Sequence, residues 1–361
     1  MDKNNWSIQA PWNEGLITQR QDRRIEKRDF LYASEIGKNF LDVYWSMQGV
    51  APTNLASDVA RRKMEAGNFY EALVVWSLRK IGLIVDTQTR SRITDHEKWP
   101  NVYGRIDIIA GHDGNWDKTR EEVKAYFDKM EQEGFDFPLF STVKKISMQT
   151  IEMLAGSFPE GLDKKIYEVK SINSMAFWRN DAPISTPYDH HKIQLSFYQM
   201  TNDLGIKDGS FLYIDRDTMS ISEIPNFVTE EITKKIADWL DQMTHYVKNS
   251  IEPPKPEFIV WDAKYKKYSF NWEINRSQYK DKILEGVSEI DIIREVNTRN
   301  KKMRTNNKMT LALEGSAERG TGKYKQAIEL IKTGAPDEVV IKKTKVLAEE
   351  IVFLKNGLLP S

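Results

Sequence analysis

Two short stretches decide how this chain is read: Tyr103-Gly104-Arg105-Ile106-Asp107-Ile108-Ile109-Ala110 and Lys165-Ile166-Tyr167-Glu168-Val169-Lys170-Ser171. Each alternates near period two and is rich in strand-forming residues, so each predicts a β-strand. Residues two apart on a strand project from the same face. Glu168 and Lys170 therefore stand side by side with Ile166, while Tyr167 and Val169 turn toward the core. On the other strand, Asp107 is expected to share a face with Arg105 and Ile109. If the two strands pair, one acid from each converges with one lysine.

That mixture suits phosphodiester hydrolysis. A hard divalent cation prefers oxygen ligands, which carboxylates supply. It polarises the phosphate and lowers the pKa of a bound water. A lysine beside it orients or deprotonates that water and neutralises charge developing at phosphorus. The Val169 carbonyl is a further candidate ligand. As a bare tripeptide, Glu-x-Lys is common on exposed strands, so its neighbours in sequence must carry the weight.

Working outward, apolar residues at helical spacing predict a helix over 33–46, with Ser34 as its cap, and a longer one over 57–80 that ends at Gly82. Leu83-Ile84-Val85 opens a strand. About fifty residues separate the two key strands. They read as a helical insert over 111–164, with helices near 118–133 and 145–156, resembling a lid or clamp more than a turn. A helix over 189–203 carries His190, His191, Gln194 and Tyr198. Strands at 210–214 and 220–224 and a helix over 229–249 follow, up to the break Pro253-Pro254-Lys255-Pro256. The expected organisation is an N-terminal arm (1–28), a core (29–252) and a C-terminal accessory region (253–361).

Composition excludes several classes. Lys plus Arg equals Asp plus Glu at 53 each, so any nucleic-acid contact must come from local patches. No cysteine is present, which rules out disulfides, thiolate zinc sites and cysteine-held iron–sulfur clusters. No apolar run approaches the roughly 20 residues of a membrane span. A cytoplasmic protein with no membrane partner is the expectation.

The ordered set Gly67-Asn68-Phe69-Tyr70-Glu71, then Gly104-Arg105-Ile106-Asp107, then Tyr167-Glu168-Val169-Lys170-Ser171, then Gln194-x-x-x-Tyr198 resembles the PD-(D/E)XK nuclease superfamily. More narrowly it is similar to the RecB-like branch of exonucleases, over residues 30–250. The resemblance implies an α/β fold, a restriction-endonuclease-like core with a mixed central sheet flanked by helices. It implies Mg²⁺- or Mn²⁺-dependent hydrolysis of DNA, exonucleolytic rather than site-specific, in recombination, repair or replication, with a recombination or replication protein as a possible partner. Asp107 and Glu168 match the metal-binding acids, Lys170 the catalytic lysine, and Glu71 a third ligand, directly or through water. Gln194 and Tyr198 match a pair that contacts the scissile region or the backbone of the DNA.

Three departures accompany the resemblance. Ile106 stands where the superfamily's name has proline. The spacing from Asp107 to Glu168 exceeds a tight hairpin. Many RecB-like relatives hold an iron–sulfur cluster that this cysteine-free chain lacks, so aromatic packing by Trp261, Tyr268 and Trp272 is expected in its place.

Other features have plainer readings. Glu71 is equally a salt-bridged helix residue. Gln194 and Tyr198 are equally packing residues. His190-His191 lie 100° apart on a helix and do not chelate one ion, although His191 lies on the side of Gln194 and is a candidate DNA contact. Trp178-Arg179 offers a stacking ring and a cation to unpaired bases, or else a core residue. Gly320-Thr321-Gly322-Lys323 fails the phosphate-loop pattern and reads as a turn. Arg23-Arg24, Lys27-Arg28, Lys301-Lys302 and Arg304 are charge runs that bind phosphates or are simply solvated. Two alternatives stay open beside an exonuclease: a non-catalytic nuclease-fold module that binds DNA or a partner, and a restriction-type endonuclease.

Overall fold

The computed structural model describes residues 26–54, 58–134, 139–179, 181–263, 265–319, 323–344, 348, 351, 352 and 355. Most of the expected arm, Arg23-Arg24 and Gly320–Gly322 lie outside them. The described chain divides into two units: residues up to Pro256 with Ser277–Tyr279, and Glu257–Arg276 with the residues from Lys280 onward.

The first unit is built on a six-stranded mixed sheet. Its strands are β1 (Phe30–Tyr32), β2 (Ile84–Ile93), β3 (Asn101–His112), β4 (Leu162–Ile172), β7 (Gly209–Asp215) and β8 (Ile221–Asn226); β5 (Trp178–Arg179) and β6 (Ala182–Pro183) form a separate two-residue ribbon after the one-turn helix α5 (Ser174–Phe177). β4 and β7 run parallel, as do β1 and β3, while β2–β3, β3–β4 and β7–β8 are antiparallel. One edge of β3 pairs with β2 from Val102 to Ala110. Its other edge is shared, with β1 taking Asn101–Tyr103 and β4 taking Ile108–His112. Residues 104–107 have no strand partner on that side.

Helices cover both faces. On one lies α2 (Asp58–Arg79), whose Val74 packs with Ile108, Val169, Leu212 and Ile214. Gly82 ends this region as expected, at φ 74°, and a Cβ there would meet Thr119 Cγ2 at 2.2 Å. On the other face lies α6 (Asp189–Thr201), burying Leu195, Phe197 and Tyr198. Also in this unit are α1 (Phe40–Met47) and α7 (Glu230–Lys248), joined by the stacked rings of Phe40 and Trp239. The first helix is shorter than its periodicity predicts. Residues 33–35 form a separate 3₁₀ turn, and Asn39 rather than Ser34 caps α1 by accepting from the amides of Leu41 and Asp42. Thr229 caps α7, with Glu230 and Glu231 in the first turn and Lys248 in the last, all favourable to its dipole.

The insert holds α3 (Trp116–Gln132) and α4 (Phe140–Ser157). Trp116, Val123, Phe127, Phe140 and Ile151 form their own core against Ile81, Leu83 and Leu162. That core sits at the hairpin end of β3 and β4, where His112 faces Leu162. Asp107 is five residues back along β3, about 17 Å at strand rise. The insert is therefore an extension of the far end of the sheet, and the lid expectation is corrected.

In the second unit, β9 (Ile259–Asp262) and β10 (Lys267–Phe270) form a hairpin in which Trp261 meets Tyr268 edge to face. Around it are α8 (Trp272–Arg276), α9 (Lys280–Ile283), α10 (Glu289–Arg319), α11 (Lys323–Lys332) and α12 (Asp337–Thr344). The last of these spans Asp337–Thr344, and most of 345–361 is outside the described residues.

The aromatic packing expected of Trp261 and Trp272 goes elsewhere. Both are exposed, and Tyr279 takes the buried position against Trp45 of α1. Tyr279 Oη donates to the Val50 carbonyl, and Ser277 Oγ donates to Asp42. Truncating a buried aromatic removes transfer energy and leaves a cavity. Tyr279→Ala is expected to lose about 3–5 kcal/mol in urea unfolding, and Tyr279→Phe about 1 kcal/mol through the lost hydroxyl.

Candidate active site

The site lies where β3 and β4 part. Their ladder runs from the hairpin end up to Ile108 opposite Tyr167, and the next pair would be Asp107 with Glu168. Instead the Asp107 carboxylate enters the seam, and the Val169 amide donates to its Oδ2 at 3.0 Å. Backbone groups alternate in direction along a strand. The Ile166 amide bonds across to Asp208 on the β7 side, so the amide and carbonyl of Val169 face the β3 side. The backbone here offers Asp107 a donor and leaves a carbonyl beside it.

Glu168 is fully buried in this opening. Its Oε1 accepts from Lys170 Nζ, and its Oε2 has no hydrogen-bond partner. Burial, then the neighbouring Asp107 charge, push its carboxyl well above the usual range. Asp107 is raised as well, by burial, with Lys170 and the Val169 amide pulling the other way. Burial works against the Lys170 ammonium, but Glu168, Asp107 and Glu71 outweigh it and hold the group above its ordinary value. Two acids and a lysine thus share one poorly solvated space.

α6 supplies the next wall. Gln194 Nε2 donates to Tyr198 Oη at 2.9 Å, one turn apart on one helix face. Burial and the Glu168 charge raise the phenol far above its usual value, so Tyr198 stays a neutral donor. Gly104 makes its approach possible, because a Cβ there would meet Tyr198 Cε1 at 2.5 Å and Ala33 Cβ at 2.9 Å. The glycine of the Gly104-Arg105-Ile106-Asp107 run is therefore a packing requirement of the Tyr198 ring. His191, the candidate nucleic-acid contact, is partly exposed and turns one ring nitrogen inward. Its Nδ1 is 2.7 Å from the hydroxyl of the fully buried Tyr213. Burial, then Lys170 and His190, push the imidazole down to about 2, so it is neutral.

On the α2 side, Glu71 accepts from Gln88 Nε2 at 2.5 Å. Burial and Asp107 raise its carboxyl. Gln88 is a residue that sequence reading missed. It falls opposite Asp107 in the β2–β3 register, between Thr87↔Ile108 and Thr89↔Ile106, with φ at +55°. A non-glycine residue in that region is uncommon within a strand, and no sequence signal marks it. Trp178 and Arg179 follow the end of β4. The half-exposed Trp178 donates its indole N–H to Asp215 Oδ2 at 3.0 Å, and Arg179 lies 5.4 Å over the Tyr188 ring. Asp215 also accepts from Ser174 Oγ, Thr218 Oγ1 and the Asp217 amide, which hold it down at about 2 against the opposing effect of burial. The expected face shared by Arg105, Asp107 and Ile109 is not uniform: Arg105 is exposed, Asp107 half-buried and Ile109 fully buried. The strand is open before Asp107 and covered on both faces after it.

Among the described residues no three His, Asp or Glu side chains converge as a cage. Mg²⁺ does not require one, since it commonly uses one or two carboxylates with water and phosphate oxygens. The unpartnered buried Oε2 of Glu168, Asp107 and the carbonyl of Val169 fit that mode. The lack of cysteine leaves no cysteine-held iron–sulfur cluster. Among the described residues no helix is long and apolar enough to cross a membrane.

No protein-family model matches the chain, and no curated protein matches its sequence. Among solved structures it is similar to one described as the crystal structure of SSO0001, with 14% identity, 79% of this chain and 96% of that one covered, and a TM-score of 0.40.

Two outcomes follow from the geometry. Gly104→Ala forces the Tyr198 ring or β3 to shift, at about 1–3 kcal/mol. Combined with Tyr198→Leu in a double-mutant cycle, part of that cost is recovered, whereas strictly additive losses would show that the ring is not the obstacle. The neutral His191 gives a pH dependence. The unfolded chain takes up a proton as pH falls through about 6.5, while the folded imidazole stays neutral. Its contribution to stability is therefore present above pH 6.5 and lost below it, by up to about 1.4 kcal/mol per pH unit. His191→Gln should flatten urea-derived stability between pH 6.5 and 5 relative to wild type.

Proposed function

We propose that this protein is a metal-dependent nuclease of the PD-(D/E)XK type, similar to the RecB-like branch, that hydrolyses phosphodiester bonds in DNA. The observation that carries the reading is the fully buried Glu168 with one oxygen on Lys170 and the other without a partner, beside Asp107 in an open strand seam. A buried carboxylate oxygen without a donor costs free energy unless something binds it. A cation there would be held by Glu168 Oε2, Asp107 and the Val169 carbonyl, with Glu71 as a further ligand, directly or through water. Bound there, Mg²⁺ or Mn²⁺ supplies polarisation of the phosphate and a more acidic water.

The chain's own groups set up the rest. Lys170, whose proton the two acids favour, would orient water and neutralise charge at phosphorus. Tyr198, neutral and held by Gln194, would supply a hydroxyl donor at the wall of the site. Gln88 fixes the Glu71 carboxylate. The exonucleolytic preference and a role in recombination, repair or replication rest on the family resemblance alone.

Activity tests the reading directly. Linear DNA with Mg²⁺ should release nucleotides with wild type and lose at least about a hundredfold in rate with Lys170→Ala or Asp107→Ala, as expected for removing a transition-state donor or a metal ligand. Equal rates in all three proteins would sink the assignment. Metal binding is tested without turnover. Mn²⁺ at a hundredfold excess over its Kd should stabilise wild type by about 2.7 kcal/mol and Asp107→Ala far less. The shift should grow from pH 6 to pH 8. Glu168 is raised, so the folded protein holds that proton above the unfolded value and must release it to bind metal.

A further inference from the structure

The outer side of the β2–β3–β1 ribbon is built unlike the rest of the sheet. Leu31, Ser91 and Val102 are buried on its inner side, while Tyr32, Arg92, Tyr103, Arg90 and Arg105 alternate with them and are exposed. The register sets these residues in rows. Tyr32, Tyr103 and Arg92 lie in one, through the pairs Tyr32↔Tyr103 and Arg92↔Tyr103. Arg90 and Arg105 lie in the next, directly opposite each other. The row after that holds Gln88 and Asp107.

Like charges directly opposite on antiparallel strands destabilise the pair. Here the repulsion is uncompensated, because among the described residues neither the Arg90 nor the Arg105 side chain joins an ion pair or a hydrogen bond. Arg92 has only an exposed contact with Asp203 at 3.8 Å, which is weak and easily exchanged. The two tyrosine rings are held in place rather than loose. Phe30 meets both edge to face at 5.3 Å, and the Arg28 guanidinium lies 4.8 Å over Tyr32. Successive rows are two residues apart, about 7 Å along the strands. The paired arginines are thus one such step from Asp107 and the tyrosines two.

We propose that this face is a track for one strand of nucleic acid leading to the seam between Asp107 and Glu168. Unpaired guanidiniums facing one another call for an anion between them, and a phosphodiester supplies it. Exposed rings one row further on accept unstacked bases, which a duplex does not offer. The direction of travel rests on the nuclease reading. The binding itself does not.

The test is fluorescence anisotropy with a labelled oligothymidylate of about 20 nucleotides, in EDTA, using the full chain. Arg90→Ala/Arg105→Ala should weaken binding about tenfold or more and lower the salt slope by about 1–2. Tyr103→Ala should weaken the single strand severalfold and a duplex of equal length little. Lys129→Ala on α3 is the control and should bind as wild type does. Unfolding midpoints within a degree or two of wild type show that the variants are folded. No binding by wild type, unchanged binding by the double variant, or tighter binding of duplex than of single strand would each overturn the track. So would binding of polyglutamate with the same loss in the double variant, which would mark an acidic protein as the occupant. If the binding pattern holds while wild type with Mn²⁺ cuts nothing, the track stands and the nuclease reading falls.

Discussion

The hydrogen bond from the Val169 amide to the Asp107 carboxylate is the constraint on which the site depends. A strand amide buried in a sheet must find an acceptor. Up to Tyr167 the acceptors come from the β3 backbone, and at Val169 a side chain takes over. That exchange lets β3 and β4 part without leaving an unsatisfied donor. The opening it creates admits Glu168 and Lys170, and on the other edge of the gap Gly104 admits the Tyr198 ring. β1 then recovers the free edge of β3 at Asn101–Tyr103, so the sheet is interrupted rather than ended.

The electrostatics of the seam follow from the same opening. Burial of Glu168 beside Asp107 is unfavourable to two negative charges, and Lys170 offsets only part of it. Breaking a buried pair costs several kcal/mol, because it leaves an uncompensated charge. On the proposed reading, a bound cation would offset that cost. The surrounding groups are tied down by contrast. Gln194 fixes Tyr198, Gln88 fixes Glu71, and Asp215 gathers Ser174, Trp178 and Thr218.

The insert and the C-terminal region show how far local pattern reaches. Periodicity located α3 and α4 within a few residues, yet their shared core against Ile81 and Leu83 places them at the hairpin end, away from Asp107. Aromatic residues after Pro256 suggested packing by Trp261 and Trp272. The buried partner of Trp45 is Tyr279, in a three-residue stretch that belongs with the first unit. Composition indicates that a ring will be buried somewhere. It does not select which of several nearby rings it will be.

The sequence by itself determined the order of the main elements between residues 58 and 249, the side-by-side placement of Glu168 and Lys170, the four-apart pair Gln194 and Tyr198, and the absence of any cysteine chemistry. These depend on periods of 2 and 3.6 and on residue type, which are local. Only the tertiary structure decided that β3 shares one edge between β1 and β4, that Asp107 caps the Val169 amide, and that Glu168 keeps an unpartnered oxygen. It alone set Gln88 opposite Asp107, turned His191 inward to Tyr213, and faced Arg90 with Arg105. Each of these is a matter of register and edge pairing between segments far apart in the chain. A shift of one residue would move every side chain to the other face, and no pattern within a single segment fixes that choice.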